Sequence, residues 1–294
     1  MSKEIEPTYI GKNDGLVFKV PSELFKMKIG DNIDKERAKT FSKYLRGTFK
    51  GLQDAIKSKN GNESNLKTET TPEFWQEFEK KAKEMGVDLI GYTPVNPNFI
   101  FKNMRIYGKN AIVLGQELLW SQIKTAPSVD CGIECFRVYQ ELGESTLKLT
   151  EYLKELGYKS EAHHPFGGNL LYPYHAVAAK LGIRGQNGLV ITPEFGPRQR
   201  WAIITTDADI PKSPERDFSE MKNFCERCGA CVKNCKGKAV LVDPIEKVKD
   251  SGVITHIERS KCIESLMNNN FCSLCLKICS LGHPKKDKVK SDNI

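Results

Sequence analysis

Apolar residues along this chain recur at helical steps in some stretches and in short unbroken runs in others. Residues 1–33 carry Gly and Pro with little periodicity and read as loop or short strand. After Asp34, Phe41, Tyr44, Leu45, Phe49 and Leu52 fall three or four residues apart, which predicts a helix ending at the polar run NGNESN (60–65). Thr71 followed by Pro72 and Glu73 marks a second helix start, and that helix presents Phe74, Trp75 and Phe78 before Gly86 closes it. The apolar runs VDLIGYTPV (87–95) and NAIVLGQELL (110–119) suit buried strands. A long helix is expected from Cys131 to Leu156, stopped by Gly157. Beyond it come SEAHH as a strand, YPYHAVAAKLG as a helix, and GLVITPEFG and RWAIITTDADI as strands. Pro211 to Met221 reads as a linker. The alternation predicts an α+β fold, a mixed sheet covered by helices, with a separate module after it.

That module is announced by chemistry. Eight of the chain's ten cysteines fall between Cys225 and Cys279. Cys225, Cys228, Cys231 and Cys235 follow C-x2-C-x2-C-x3-C, the spacing of a bacterial ferredoxin run. Cys272, Cys275 and Cys279 repeat its second half, and Cys262 supplies a fourth sulfur upstream. A cubane needs four thiolates at tetrahedral directions, and two-residue gaps let one tight loop present three. In two-cluster ferredoxins the fourth cysteine of each run ligates the other cluster. By that rule Cys225, Cys228, Cys231 and Cys279 hold one 4Fe-4S cluster, and Cys235, Cys262, Cys272 and Cys275 the second. Zinc would be satisfied by two C-x2-C pairs and gives no reason for the triplets. A disulfide framework would need an oxidising compartment, for which nothing in the chain argues. Proline, usual after the fourth cysteine, is replaced by Lys236 and Ser280.

Composition narrows the class. The chain has 294 residues, 39% hydrophobic and 28% charged, which suits one large or two linked globular domains. No apolar run is long enough to span a bilayer, and the N-terminus carries neither an apolar signal core nor twin arginines, so the expected setting is cytoplasmic, reducing and anaerobic. The formal charge of +8 falls to about +4 once two clusters add about two negative charges each, which weakens any inference to nucleic acid. The basic tail HPKKDKVK reads as a solvated terminus.

Upstream of the cysteines, Gly182, Gly185 and Gly188 let the backbone turn tightly and approach a ligand. An ordinary helix-to-strand turn is the competing reading. Arg184, Arg198 and Arg200 suit amide or phosphate oxygens, or simply the surface. His163, His164 and His175 read as satisfied or exposed histidines rather than ligands. Cys131 and Cys135, four apart on one helical face, read as small core residues rather than a redox pair.

The block AAKLGIRGQNGLVITPEFGPRQRWAIITTDADIP (178–211), running into FCERCGACVKNCKGKAV, resembles the cobalamin-dependent iron–sulfur reductases, that is, reductive dehalogenases and epoxyqueuosine reductases. The resemblance implies a nitroreductase-like, cobalamin-binding core over 1–210 and a bacterial ferredoxin-like 4Fe-4S domain over 211–294. It implies a cofactor-facing loop made of Gly182, Gly185, Gln186, Asn187, Gly188, Thr192, Glu194, Phe195, Arg198 and Arg200, with flavin as the other cofactor such a core would suit. Tyr172, Tyr174 and Arg184 are its candidates for protonating or orienting substrate. TPEFGPRQR (192–200) looks closer to the dehalogenase form. The acid of epoxyqueuosine reductases falls on Phe166, and the basic residue usual in the glycine turn is Gln186. The activity implied is reductive cleavage of a small organic substrate, with electrons from a ferredoxin- or flavodoxin-type donor. An electron-transfer or corrinoid-activating protein and a tRNA-modifying reductase are the alternatives.

Overall fold

The computed structural model describes residues 6–17, 33–62, 64–248 and 252–284. The reading of 1–33 is therefore tested only in part: Tyr9–Ile10 forms a short strand paired with Arg105–Ile106. The basic tail from 285 lies outside the described residues.

The fold is α+β. Four strands form its sheet in the order Leu89–Pro94, Asn110–Glu117, Gln199–Thr206, Ser160–His163. Every neighbouring pair is antiparallel, which corrects the mixed sheet expected from the alternation of elements. The alternation itself is real. Asn110–Glu117 and Ser160–His163 run parallel to each other with a long helix between them in sequence, but Gln199–Thr206 inserts between the two strands.

Both faces of the sheet are covered, which explains why its central strands are apolar without alternation. Ile112, Leu114, Ala202 and Ile204 face helices Pro72–Glu84 and Val129–Glu155 through Trp75, Phe78, Val138 and Leu142. Ala111, Val113, Trp201 and Ile203 face the other way, against Ala176, Ala179 and Leu181 around helix Tyr172–Ala178. Helix Lys35–Lys57 lies outermost, packed on Val129–Glu155.

The helix ends are set by local chemistry. The Asp34 carboxylate accepts from the N–H groups of Glu36 and Arg37 at 3.1 and 2.9 Å. Thr71 accepts from Phe74 N at 3.2 Å, and Ser128 from Cys131 N at 3.1 Å. Gly86 and Gly157 close their helices at φ +85° and +88°.

Two elements differ from expectation. The helix begun at Tyr172 stops at Ala178, and Lys180 takes φ +59°. Of the strand expected over 188–196, only Val190–Ile191 forms, paired with Ile183–Arg184. Thr192 and Gly196 then exchange backbone hydrogen bonds at 2.9 Å, closing TPEFG into a turn with Gly196 at φ +58°. The linker also ends early, since helix Ser219–Cys228 begins inside it. A hairpin, Val240–Val248 with Val253–Ile257, separates the two cysteine runs.

Candidate functional site

The first cysteine run is a broken helix. Cys225 and Cys228 lie on Ser219–Cys228, Gly229 breaks it at φ +61°, and Cys231 follows on the short helix Ala230–Lys233. In the second run Cys262 lies on helix Arg259–Asn268. Asn270 to Ser273 are then all left-handed, with φ of 41°, 62°, 23° and 50°. This coiled-back loop turns Cys272 toward Cys275, and Phe271 anchors it against Phe41 and Phe136.

Two cavities result. One, of about 170 Å³, is lined by Cys231, Cys235, Cys262, Cys272 and Cys275. A smaller one is lined by Cys225, Cys228, Cys231 and Cys279. Cys279 of the second run thus joins three cysteines of the first, and Cys235 of the first joins three of the second, with Cys231 shared by both cavities. None of the ten cysteines is in a disulfide. Among the described residues no three His, Cys, Asp or Glu side chains converge on a single-ion position, and the thiols ring cavities instead.

Donors already point at some of the sulfurs: Gln186 N to Cys225 Sγ at 3.5 Å and Ala239 N to Cys235 Sγ at 3.2 Å. Burial, reinforced by neighbouring thiols, pushes Cys275 up to about 12. Burial likewise pushes Cys279 up to about 11. Thiols gathered this way ionise readily only when a cationic group compensates them, so their environment suits metal ligands.

The glycine turn is the wall beside both cavities. Gln186 Nε2 donates to the carbonyls of Leu241 and Val242 at 2.6 and 2.8 Å, and Asn187 lines both cavities. A Cβ at Gly182 would stand 2.2 Å from Ile191 O, and one at Gly185 2.5 Å from Ile191 Cδ1, so both glycines serve close approach of the turn to its own partner strand. Gly188, at φ +75°, packs on Ile257 of the hairpin.

The remaining sequence candidates have protein partners. Thr192 Oγ1 accepts from Phe195 N at 3.1 Å, Glu194 pairs with Arg216 at 2.7 Å, and Phe195 packs on the core. Buried Arg198 donates to Glu117, Leu118 O and Gly282 O, tying the end of the cysteine module to the sheet. Arg200 Nη2 donates to Cys135 Sγ at 2.9 Å. Tyr172 donates to His164 O at 2.8 Å, and Tyr174 to Ile254 O at 2.9 Å. Phe166 lies among Phe49, Phe136 and Tyr139, so the place of the epoxyqueuosine-reductase acid is aromatic core.

Some buried polar atoms have no partner in the protein: Arg184 Nε, His256 Nδ1 and Arg200 Nε among them. Arg184 stands 5.2 Å over the Tyr174 ring, and its charge, after burial, lowers the affinity of His256 for protons. Arg184 and His256, both beside Gly188, fit the amide-rich periphery of a corrinoid. His256 escaped the sequence reading because the hairpin that carries it was not anticipated.

Glu161 also escaped it. It is buried on Ser160–His163 and lines a cavity of about 390 Å³ with Lys59, Arg105, Tyr107 and His163. Burial pushes its carboxyl up to about 7, while the Tyr107 N–H at 3.1 Å works the other way. It pairs with Thr205, five residues along the strand from Arg200, or about 17 Å from the cysteine end. Its folded value exceeds the ordinary 4.5, so the fold is stabilised by the protonated form and loses that advantage as pH rises toward 7. Glu161→Gln is therefore expected to stabilise the protein by on the order of 3 kcal/mol at pH 8 and by about 1 kcal/mol at pH 5.5. Urea melts at the two pH values check this, and a pH-independent loss would contradict it.

No protein-family model matches the chain. A tetrachloroethene reductive dehalogenase of Desulfitobacterium hafniense is 30% identical over 208 residues, which are 66% of this chain and 37% of that protein. The tetrachloroethene reductive dehalogenase of Sulfurospirillum multivorans is 30% identical over 138 residues, 46% of this chain and 26% of the relative. The chain therefore spans well under half the length of the curated relatives it matches. A reductive dehalogenase structure, described as suggesting a mechanism for B12-dependent dehalogenation, superposes with a TM-score of 0.70 at 18% identity, covering 95% of this chain and 44% of that one. An epoxyqueuosine reductase gives 0.51 at 18% identity, over 71% and 66% of the two chains. Among the described residues no helix is long and apolar enough to cross a membrane. In sequence the chain is similar to tetrachloroethene reductive dehalogenases over part of their length, and its fold is that of the reductive dehalogenase structures.

Proposed function

We propose that the chain is an iron–sulfur reductase that takes electrons into two 4Fe-4S clusters and passes them to a cobalamin for reductive cleavage of a small organic molecule, as a dehalogenase would. The carrying observation is the pair of cavities, one lined by Cys225, Cys228, Cys231 and Cys279 and the other by Cys231, Cys235, Cys262, Cys272 and Cys275, each with sulfurs from both cysteine runs. That donor set fits cubane clusters. On this reading 211–294 is the cluster domain and 1–210 the core, fed by a low-potential donor of ferredoxin or flavodoxin type.

Bound cobalamin would supply the reducing cobalt centre, the chemistry that no side chain here provides. Arg184 and His256, with unspent buried nitrogens, would hold its polar periphery. The residues around the sulfurs exclude water and fix the thiols: Arg198 clamps Gly282 beside Cys279, and Gln186 holds the hairpin over the cavities. Glu161, poised near neutrality, can hold a proton on its carboxyl at the far end of the sheet.

The test is anaerobic reconstitution with iron, sulfide and cobalamin, followed by iron analysis and a visible spectrum. The expected result is about eight irons per chain, one bound corrinoid, and halide release from a halogenated organic acid with a low-potential reductant. Iron loading without corrinoid binding would replace this reading with an electron-transfer protein.

A further inference from the structure

Among the described residues lining the larger cysteine cavity, Arg200 is the sole cation. Its side chain leaves strand Gln199–Thr206 toward the long helix Val129–Glu155. There Nη2 donates to Cys135 Sγ at 2.9 Å, and the guanidinium stands 5.0 Å over the ring of Tyr139, one turn further on. Nε is buried with no partner. Cys131, one turn before Cys135 on the same helix, is buried with it, and the charge of Arg200 acts on both thiols. Arg200 thus joins the buried Cys135 on the long helix to the wall of the cavity.

We propose that Arg200 is a positioning residue that sets the reduction potential of the centre held by Cys235, Cys262, Cys272 and Cys275, and that Cys135 and Cys131 are the mount that holds its charge there. The inference rests on the reading of those four cysteines as cluster ligands.

The physical argument is Coulombic. A cluster that gains an electron becomes more negative, and a cation at its wall, in a weakly screening interior, stabilises the reduced form. An isolated buried guanidinium is costly, so it needs an anion on its far side. Cys135 meets that need. The neighbouring Cys131, then the charge of Arg200, hold its thiol below the ordinary range against the opposing effect of burial. A plain core position would need neither the sulfur pair nor the arginine. The unspent Nε–H is available to a further acceptor in the cavity, and the sulfur of a cluster is of that kind.

The test is a redox titration of the reconstituted full chain, followed by electron paramagnetic resonance. Arg200→Gln is expected to lower the midpoint potential of one cluster and leave the other unchanged, with Arg200→Lys in between. Cys135→Ser, which removes the counter-charge, is expected to raise the same midpoint. Unchanged potentials in both variants, or shifts in the same direction, would overturn the proposal. Should Arg200→Gln fail to load its cluster, Cys135→Ser decides the matter alone, because it leaves the cavity wall intact. Failure of the unaltered chain to bind iron would remove the underlying reading, an outcome distinct from two loaded clusters that ignore Arg200.

Discussion

A chain in which Cys225 and Cys279 are both replaced by alanine is expected to keep one cluster, whereas a chain lacking Cys225 and Cys235 is expected to keep none. The first pair is separated by more than fifty residues yet lines a single cavity. The second pair belongs to one short run but is divided between the two cavities. Loss of one thiolate leaves a cubane with three ligands in a half-buried site, which favours loss of the cluster. Anaerobic reconstitution should therefore give about four irons per chain for the first double variant and few for the second, against about eight for the unaltered protein. Ligation within each run would reverse the ranking. The Cys262→Ala, Cys272→Ala double variant should behave like the first pair, and its surviving cluster should be the other one.

The gathering of the eight cysteines was legible because two- and three-residue spacings are a local signal, and the structure places those side chains around two neighbouring cavities. Helix limits were legible for a similar reason: Asp34, Thr71, Gly86 and Gly157 act on neighbours a few residues away. The strand order was not, because only the insertion of Gln199–Thr206 between two earlier strands makes every pairing antiparallel. The segment TPEFG was misread as strand although Pro193 and Gly196 were a turn signal in plain view. Arg198 and Arg200 both looked like ligand or surface residues. Their partners, Gly282 and Cys135, lie 84 and 65 positions away, and no pattern reports such distances. Glu161 stands five residues before Phe166, the place that the resemblance gives to the epoxyqueuosine-reductase acid. Its burial depends on a sheet closed on both faces, which periodicity alone does not reveal.

Gly196→Ala is expected to destabilise the protein by about 2–5 kcal/mol and to unload one cluster selectively. Two costs combine. The residue sits at φ +58°, where a Cβ costs about 1–2 kcal/mol. That Cβ would also lie 2.4 Å from the backbone of Gly282, which leaves no flexible side chain to yield, so backbone must move at about 1–3 kcal/mol. The displaced segment is the one that carries Cys279: Gly282 N donates to Cys279 O at 2.8 Å, and Gly282 O accepts from Arg198. Movement there pulls one thiol from the cavity of Cys225, Cys228 and Cys231 but leaves the wall of the other cavity in place. Gly61→Ala supplies the control, since Gly61 is also left-handed, at φ +80°, but has nothing within 4 Å of an added Cβ. It should show the strain of about 1 kcal/mol and full iron content. Urea denaturation and iron analysis of the two variants separate strain from displacement. Equal iron in both would mean that the seam between Gly196 and Gly282 does not hold Cys279 in place.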